Sequence, residues 1–310
     1  MRPPFRDFPF GIKLFLMVCL WLFNYGVVGY VAIMAVPALF GIDQPMTVLQ
    51  GTLDTDNAVN AFLFVQGVSS VGGFFLSAVM FAGLETGAIY ERLRMNHGVP
   101  VKMLVLAVFA IFAAQFFIEF LVDVMNAIPL PSSMAFLKDH QKETDALTET
   151  ILNNNRFVRF IWVSVVFAVI PAVCEEIFFR GLLLGGFLRA GISPVVSIIV
   201  TGLIFSLTHW EYQNTLAIWA LGAFLGYAYY ISGSLWLSVA LHFTNNFMQV
   251  LFKYLYATGN IKTDVAEASM PWYATLAAII VFAGCLYVLN RWKKPYEEEF
   301  VEEENTAINF

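Results

Sequence analysis

The sequence predicts an all-α, polytopic membrane protein with about eight transmembrane helices, and three observations support this fold class. Apolar residues make up 59% of the 310-residue chain, which gives a mean hydropathy of +0.71, and charged residues make up only 13%. Soluble domains contain roughly 45–50% apolar and about 25% charged residues. So few charges cannot cover a water-soluble surface, which excludes ordinary cytosolic enzymes, nucleic-acid-binding proteins and secreted disulfide scaffolds.

The third observation is a series of long apolar segments. A helix that crosses the bilayer needs about 20 largely apolar residues. The first segment is too long for the apolar region of a signal peptide, so we expect it to be retained. Eight segments qualify, at approximately 12–40, 59–84, 101–127, 157–187, 194–210, 214–231, 234–256 and 272–290.

These segments divide the chain into four parts. The stretch between the third and fourth segments mixes charged residues with Phe136, Leu147 and Ile151, which predicts either an interfacial amphipathic helix or an ordered external loop. The C-terminal end carries six glutamates in its last fourteen positions, and we expect a solvated acidic tail. The parts are three spans at 1–130, the loop or amphipathic segment at 131–156, four spans at 157–256, and the last span with the acidic tail at 257–310.

Basic residues fall mainly on one side of this eight-span arrangement, which predicts that side to be cytoplasmic. Both chain termini are then cytoplasmic, and we expect a multi-pass protein of the plasma (inner) membrane. The residues on that side are Arg2, Arg6, Lys13, Arg92, Arg94, Lys102, Arg189, Arg291, Lys293 and Lys294.

Ionisable residues inside the predicted fourth span are the first functional signal, because a charge in the bilayer is costly and marks a functional site by default. Glu176 and Arg180 are four positions apart, so they can pair along one helix face. Glu175 points about 100° away from Glu176 and has no partner on its own helix. We therefore predict that Glu176 is structural and Glu175 is the working acid; the alternative is an inert buried cluster of all three charges.

Two further spans carry histidines. His209 closes the fifth span, and His242 lies in the seventh span, four positions before Asn246 and on the same helix face. A single intramembrane histidine is as well explained by helix packing as by catalysis. Two histidines, an asparagine and an unpaired glutamate on three spans favour a shared functional site.

These residue types suit hydrolysis. Glu175 can take a proton from a water positioned by His209, while His242 and Asn246 donate hydrogen bonds to the oxyanion that forms on a scissile carbonyl. Alternatively, Glu175, His209 and His242 can ligate a divalent metal such as Zn²⁺, with one position left for water. The sequence leaves both schemes open.

The three motifs, Glu175-Glu176-x-x-x-Arg180, Phe205-x-x-x-His209 and His242-x-x-x-Asn246, resemble the pattern of the CPBP family. This family of CAAX proteases and bacteriocin-processing enzymes, also called Abi, contains intramembrane endopeptidases related to the type II CAAX prenyl endopeptidase. The similarity covers approximately residues 157–256. It implies glutamate-dependent hydrolysis within an eight-helix membrane core and is associated with the label metalloprotease.

In residue terms, the resemblance implies that Glu175 is the base and that His209, His242 and Asn246 position the water and stabilise the oxyanion. The expected partners are the lipid bilayer and a peptide or membrane-protein substrate, such as a prenylated carboxyl terminus or a leader peptide. Three other function classes stay open: a haem protein with His209 and His242 as axial ligands, a transporter with a proton-relay carboxylate, and a membrane scaffold without turnover.

Overall fold

The computed structural model describes residues 3–130, Ser133, 135–263 and 271–293. Within these residues the chain is helical and contains no β-strand, which confirms the all-α prediction. The glutamates of the acidic tail lie outside the described residues. The helices are α1 (Phe10–Phe40), α2 (Pro45–Leu49), α3 (Asp56–Glu85), α4 (Ile89–Arg92), α5 (Val101–Ala127), α6 (Ala135–Leu152), α7 (Phe157–Arg189), α8 (Pro194–Leu207), α9 (Thr215–Ser232), α10 (Leu235–Ala257) and α11 (Trp272–Arg291).

Each of the eight predicted apolar segments forms a helix, but not all of these helices are long and apolar enough to cross a membrane. Six qualify, namely α1, α3, α5, α7, α9 and α11, which supports a multi-pass membrane protein. Helix α8 is apolar but has only 14 residues. Helix α10 has 23 residues, and its polar side chains, including His242 and Lys253, lower its mean hydropathy. The count of eight crossings therefore stays a prediction.

Helix boundaries follow the local chemistry of the chain. Helix α8 begins with Pro194, whose missing N–H is not needed in the first turn, and the Ser193 side chain accepts a hydrogen bond from the Val196 N–H. Helices α1 and α9 end at Gly41 and Gly233, which adopt the left-handed conformation that stops a helix.

The described residues form two compact units. The first unit is drawn from residues 3–87, 130–178 and 242–263, and the second from residues 88–129, 179–241 and 271–293. The first unit has a core in which α1, α3, α7 and α10 contribute apolar side chains. The core of the second unit is built from α5, α9, α11 and the beginning of α10.

Close packing of α1 on α3 in the first unit depends on two adjacent glycines. A Cβ atom on Gly72 would lie 2.4 Å from Val28 Cγ1, and one on Gly73 would lie 2.4 Å from Tyr25 Cδ2. Both glycines belong to a π-helical turn, Val71–Leu76, inside α3. Only a residue without a side chain allows this approach, so the turn brings the Tyr25 ring against the backbone of α3.

The segment between the third and fourth predicted spans forms helix α6. Of the two predicted alternatives, the structure has the helix. Its C-terminal side chains Leu147, Ile151 and Leu152 pack on the core of the first unit, and Glu149 Oε2 lies 2.7 Å from Lys253 Nζ. Its placement at a membrane interface stays a prediction.

Two arginines that the sequence analysis treated only as cytoplasmic charges are buried in the second unit. Arg94 is 1% exposed, and its Nε donates a 2.9 Å hydrogen bond to the Gly233 carbonyl. Arg92 Nη1 donates a 3.0 Å hydrogen bond to the Gly181 carbonyl. Arg94 thus holds the loop before α5 to the end of α9. Arg92, the last residue of α4, holds that helix to the backbone of α7.

Arg94→Ala is expected to lower the free energy of unfolding by roughly 2–3 kcal/mol, because hydrogen bonds from a charged donor are strong and the Gly233 carbonyl loses its partner. Chemical unfolding in detergent measures this difference. Arg6→Ala, which removes an exposed arginine, is the control and should change the same quantity by less than about 0.5 kcal/mol. Equal stability of the two variants would contradict the structural role of Arg94.

Candidate active site

Glu175 and Glu176 lie near the middle of α7, in a short α-helical stretch between two π-helical segments. These segments are Val165–Val169 and Ile177–Leu184. π-Helical turns inside α-helices occur frequently at functional sites because they rotate the following side chains. The Glu176 side chain is completely buried, and the Glu175 side chain is 13% exposed.

His242 of α10 contacts both carboxylates within the first unit. Its Nδ1 lies 2.8 Å from Glu176 Oε1, and its Nε2 lies 4.0 Å from Glu175 Oε2. With Glu176 ionised, Nδ1 carries the hydrogen of this bond, so the ring orientation is fixed and Nε2 faces Glu175. The sequence motif did not predict the contact between Glu176 and His242, because the two residues are 66 positions apart.

Arg180, the predicted partner of Glu176, belongs to the second unit. Its Nη2 donates a 2.9 Å hydrogen bond to the Gly222 carbonyl, and its guanidinium lies 4.6 Å from the centre of the Phe205 ring. Arg180 is 1% exposed, so these contacts compensate a buried charge. The pairing of Glu176 with Arg180 stays a prediction.

Asn246 is held by two hydrogen bonds in the first unit. Its Nδ2 donates to the Phe167 carbonyl at 3.1 Å, and its Oδ1 accepts from Asn245 Nδ2 at 3.1 Å. Pro171 lies four residues after Phe167 and has no N–H to donate to this carbonyl. The Asn246 amide therefore supplies the hydrogen bond that a residue other than proline could donate from its backbone. The sequence analysis did not include Asn245, which is 4% exposed and fixes the orientation of the Asn246 amide.

The Asn246 contact leads to a prediction about stability. Asn246→Ala should lower the free energy of unfolding by roughly 1–2 kcal/mol, because the Phe167 carbonyl loses its side-chain donor. In a Pro171→Ala background the new N–H can bond to the same carbonyl, so Asn246→Ala should cost about 1 kcal/mol less there. The measurement is a double-mutant cycle of unfolding free energies. If the effects of the two substitutions on the unfolding free energy simply add, Asn246 does not supply the donor that Pro171 lacks.

His209 belongs to the second unit and follows the end of α8 by two residues. Its Nδ1 donates a 2.8 Å hydrogen bond to the Phe205 carbonyl, and its ring makes an edge contact with the Phe205 ring. Because a carbonyl only accepts, Nδ1 carries hydrogen and a neutral His209 presents Nε2 as an acceptor. The next residue, Trp210, has a φ of 57°, a strained conformation for a side chain of this size. The meeting of His209 with Glu175 stays a prediction.

A metal ion bound by the protein needs several His, Cys, Asp or Glu side chains close together. Among the residues that the structure describes, no three His, Cys, Asp or Glu side chains are arranged as metal ligands. The predicted set of Glu175, His209 and His242 therefore finds no support, and the metalloprotease assignment finds none.

Comparisons with known proteins find a similarity that covers this site. Residues 157–248 match the family model described as type II CAAX prenyl endopeptidase Rce1-like, and this stretch contains every candidate site residue. Uncharacterized protein YyaK of Bacillus subtilis (strain 168) is 28% identical over 154 residues, which are 45% of this chain and 52% of YyaK. The match thus spans about half of that relative. No solved structure matches the chain. The predicted family resemblance is confirmed for residues 157–248.

Proposed function

We propose that this protein, whose residues 157–248 form an Rce1-like domain of the type II CAAX prenyl endopeptidase family, is an intramembrane endopeptidase. The observation that carries the proposal is the position of His242, with Nδ1 against the buried Glu176 and Nε2 facing Glu175. A histidine supported by one carboxylate and facing a second is suited to proton transfer and to charge stabilisation.

Glu175 is the proposed general base. Its Oε2 atom is shielded from solvent, makes no hydrogen bond to any described residue and lies 4.0 Å from His242 Nε2, so this oxygen can accept a proton from water. Glu175 takes a proton from water as the water oxygen attacks the scissile carbonyl, and it then delivers the proton to the leaving nitrogen. His209 is proposed to orient that water, since its Nε2 is an acceptor.

The oxyanion that forms during attack needs hydrogen-bond donors. His242 can donate from Nε2 when it is protonated, and the buried Glu176 carboxylate stabilises that imidazolium. Asn246 Nδ2 has two hydrogens, and only one is needed for the Phe167 carbonyl. Its second hydrogen is the other proposed donor. Both groups are oriented by their neighbours before substrate arrives, so little reorganisation is needed during the reaction.

The proposed substrate is a peptide or membrane protein that reaches the site from the bilayer. A prenylated carboxyl terminus, a leader peptide and a membrane regulator all fit this chemistry. We propose the plasma (inner) membrane as the location. The basic residues that precede and follow the apolar segments support a cytoplasmic position for both termini.

Comparative analysis of protein termini tests the proposal. Membranes from cells that produce the wild-type protein are compared with membranes from cells that produce Glu175→Ala at equal abundance. We expect at least one new carboxyl terminus in the wild-type sample that is absent from the variant. Glu143→Ala, on the exposed face of α6, is the control and should give the wild-type pattern. Identical termini in all three samples would refute endopeptidase activity.

A further inference from the structure

Helices α1 and α3 lie outside the stretch that matches the family model, yet they place aromatic side chains against the helix of Glu175. The Trp21 ring lies 6.0 Å from the Phe178 ring and 5.8 Å from the Phe74 ring, measured between ring centres. Tyr25, four residues after Trp21 and on the same face of α1, lies 6.4 Å from Trp21 and from Phe74. We call Trp21, Tyr25, Phe74 and Phe178 the aromatic cluster.

The aromatic cluster is next to Glu175. Phe178 follows Glu175 by three residues, which places both on neighbouring positions of one helix surface. Trp21 contacts Phe178, and Tyr25 contacts Trp21 and Phe74, so these two side chains of α1 lie beside this part of α7. All of these residues belong to the first unit. The glycine pair of α3 is what seats Tyr25 there, because a Cβ on Gly73 would collide with the ring.

One polar atom of the aromatic cluster lacks a partner. Trp21 Nε1 is shielded from solvent and makes no hydrogen bond to any described residue. Buried polar groups in native proteins are hydrogen-bonded in about 90% or more of cases, and the exceptions call for an explanation such as a ligand or a catalytic role. Glu175 Oε2 is a second such atom in the same neighbourhood. The indole N–H donor of Trp21 and a carboxylate oxygen of Glu175 thus both lack a hydrogen-bond partner among the described residues, and they lie on two neighbouring helices.

We propose that the aromatic cluster is a substrate subsite beside Glu175, in which Trp21 Nε1 donates a hydrogen bond to a backbone carbonyl of the peptide and the rings pack on an apolar side chain. The inference rests on the proposed endopeptidase function. Tyr25 is 42% exposed, so the cluster is open at its edge. The chemistry of the reaction then resides in residues 157–248, and the choice of peptide depends on α1 and α3.

Trp21→Phe separates this role from a structural one. The substitution keeps an aromatic ring and removes the N–H, and since that N–H has no partner to lose, the folded protein should not be destabilised. We expect KM for peptide cleavage to rise about tenfold, as for the loss of one buried hydrogen bond, with kcat changed less than about twofold. Trp162→Phe, on the exposed face of α7, is the matched control and should leave both constants unchanged.

Tyr25→Ala is the second variant. Removal of the Tyr25 ring from the aromatic cluster should also raise KM about tenfold. Tyr30→Ala, which removes an exposed tyrosine of the same helix, should leave KM unchanged. The probe is a pool of internally quenched peptides with one fixed apolar residue, and the full-length protein is assayed in proteoliposomes. A parallel binding assay uses a fluorescent version of the pool and the Glu175→Gln background, so that affinity is measured without turnover.

The outcomes distinguish two failures. Loss of cleavage in Glu175→Gln, together with about tenfold weaker binding and higher KM in Trp21→Phe and Tyr25→Ala, supports the subsite. Loss of cleavage in Glu175→Gln with binding and KM of both cluster variants equal to their controls overturns the subsite and leaves the proposed function intact. Undiminished cleavage by Glu175→Gln overturns Glu175 as the base, and absence of cleavage by the wild-type protein overturns the proposed function. Failure of the wild-type protein to bind the pool also overturns the subsite.

Discussion

Glu175→Gln is expected to lower the rate of peptide cleavage about 1,000-fold, since general-base catalysis typically contributes 10²–10⁴-fold. The amide has nearly the shape of the carboxylate but cannot accept a proton from water. Glu175 Oε2 makes no hydrogen bond to a described residue, so the substitution removes a chemical function without breaking a hydrogen bond at this oxygen. The free energy of unfolding should therefore stay within about 1 kcal/mol of the wild-type value.

Single-turnover kinetics in proteoliposomes measure this effect, and chemical unfolding in detergent measures the stability. Glu143→Gln, at an exposed position of α6, is the control for the loss of a negative charge. Cleavage by Glu175→Gln at a rate within twofold of this control would reject Glu175 as the base.

Glu176→Gln should affect both activity and stability. Its carboxylate accepts from His242 Nδ1 at 2.8 Å and is completely buried, so it fixes the ring and stabilises a protonated imidazole. Removal of the carboxylate behind a catalytic histidine costs about 10⁴ in rate in the serine-protease triad. We expect a loss of about 100-fold or more in cleavage and a loss of roughly 2 kcal/mol in unfolding free energy, as for a buried hydrogen bond to a charged group.

The two neighbouring glutamates thus give opposite stability results. Glu175→Gln should be inactive and as stable as wild type, whereas Glu176→Gln should be impaired in both respects. The pair of variants is its own control, because the residues are adjacent and the substitution is the same. Wild-type stability of Glu176→Gln would contradict the supporting role of the Glu176–His242 bond.

Much of the helical architecture could be predicted from the sequence, because an apolar run of about 20 residues bounded by proline, glycine or charge has few alternatives in a membrane. Helix α5 has its predicted bounds, 101–127, and α1 differs from its prediction by two residues. Helix α8 was predicted to include His209 but ends at Leu207. The polar Thr208 and His209 are followed by the apolar Trp210, so hydropathy alone did not place the end at Leu207.

The candidate site was only partly predictable. The motif spacing predicts Glu175 as the acid without a partner on its own helix, because helix geometry relates residues three or four positions apart, and its catalytic role stays a prediction. Contacts between distant segments have no such rule, and so the hydrogen bonds of Glu176 with His242 and of Asn246 with Phe167 could not be derived. Pro171 was a usable signal, since a proline within a helix predicts that a nearby carbonyl needs another donor. The burial of Arg94 carried no signal, because a charged loop residue is normally solvated.

Cleavage in heavy-oxygen water is the most direct test of the central claim, which is that Glu175 activates water to hydrolyse a peptide bond. The wild-type protein in proteoliposomes is incubated with a cleaved peptide, and the product masses are measured. The mechanism predicts one heavy oxygen atom in the new carboxyl terminus in a single turnover, and formation of this labelled product about 1,000-fold more slowly by Glu175→Gln. A product without label, or the same labelled product at the same rate from Glu175→Gln, would contradict it.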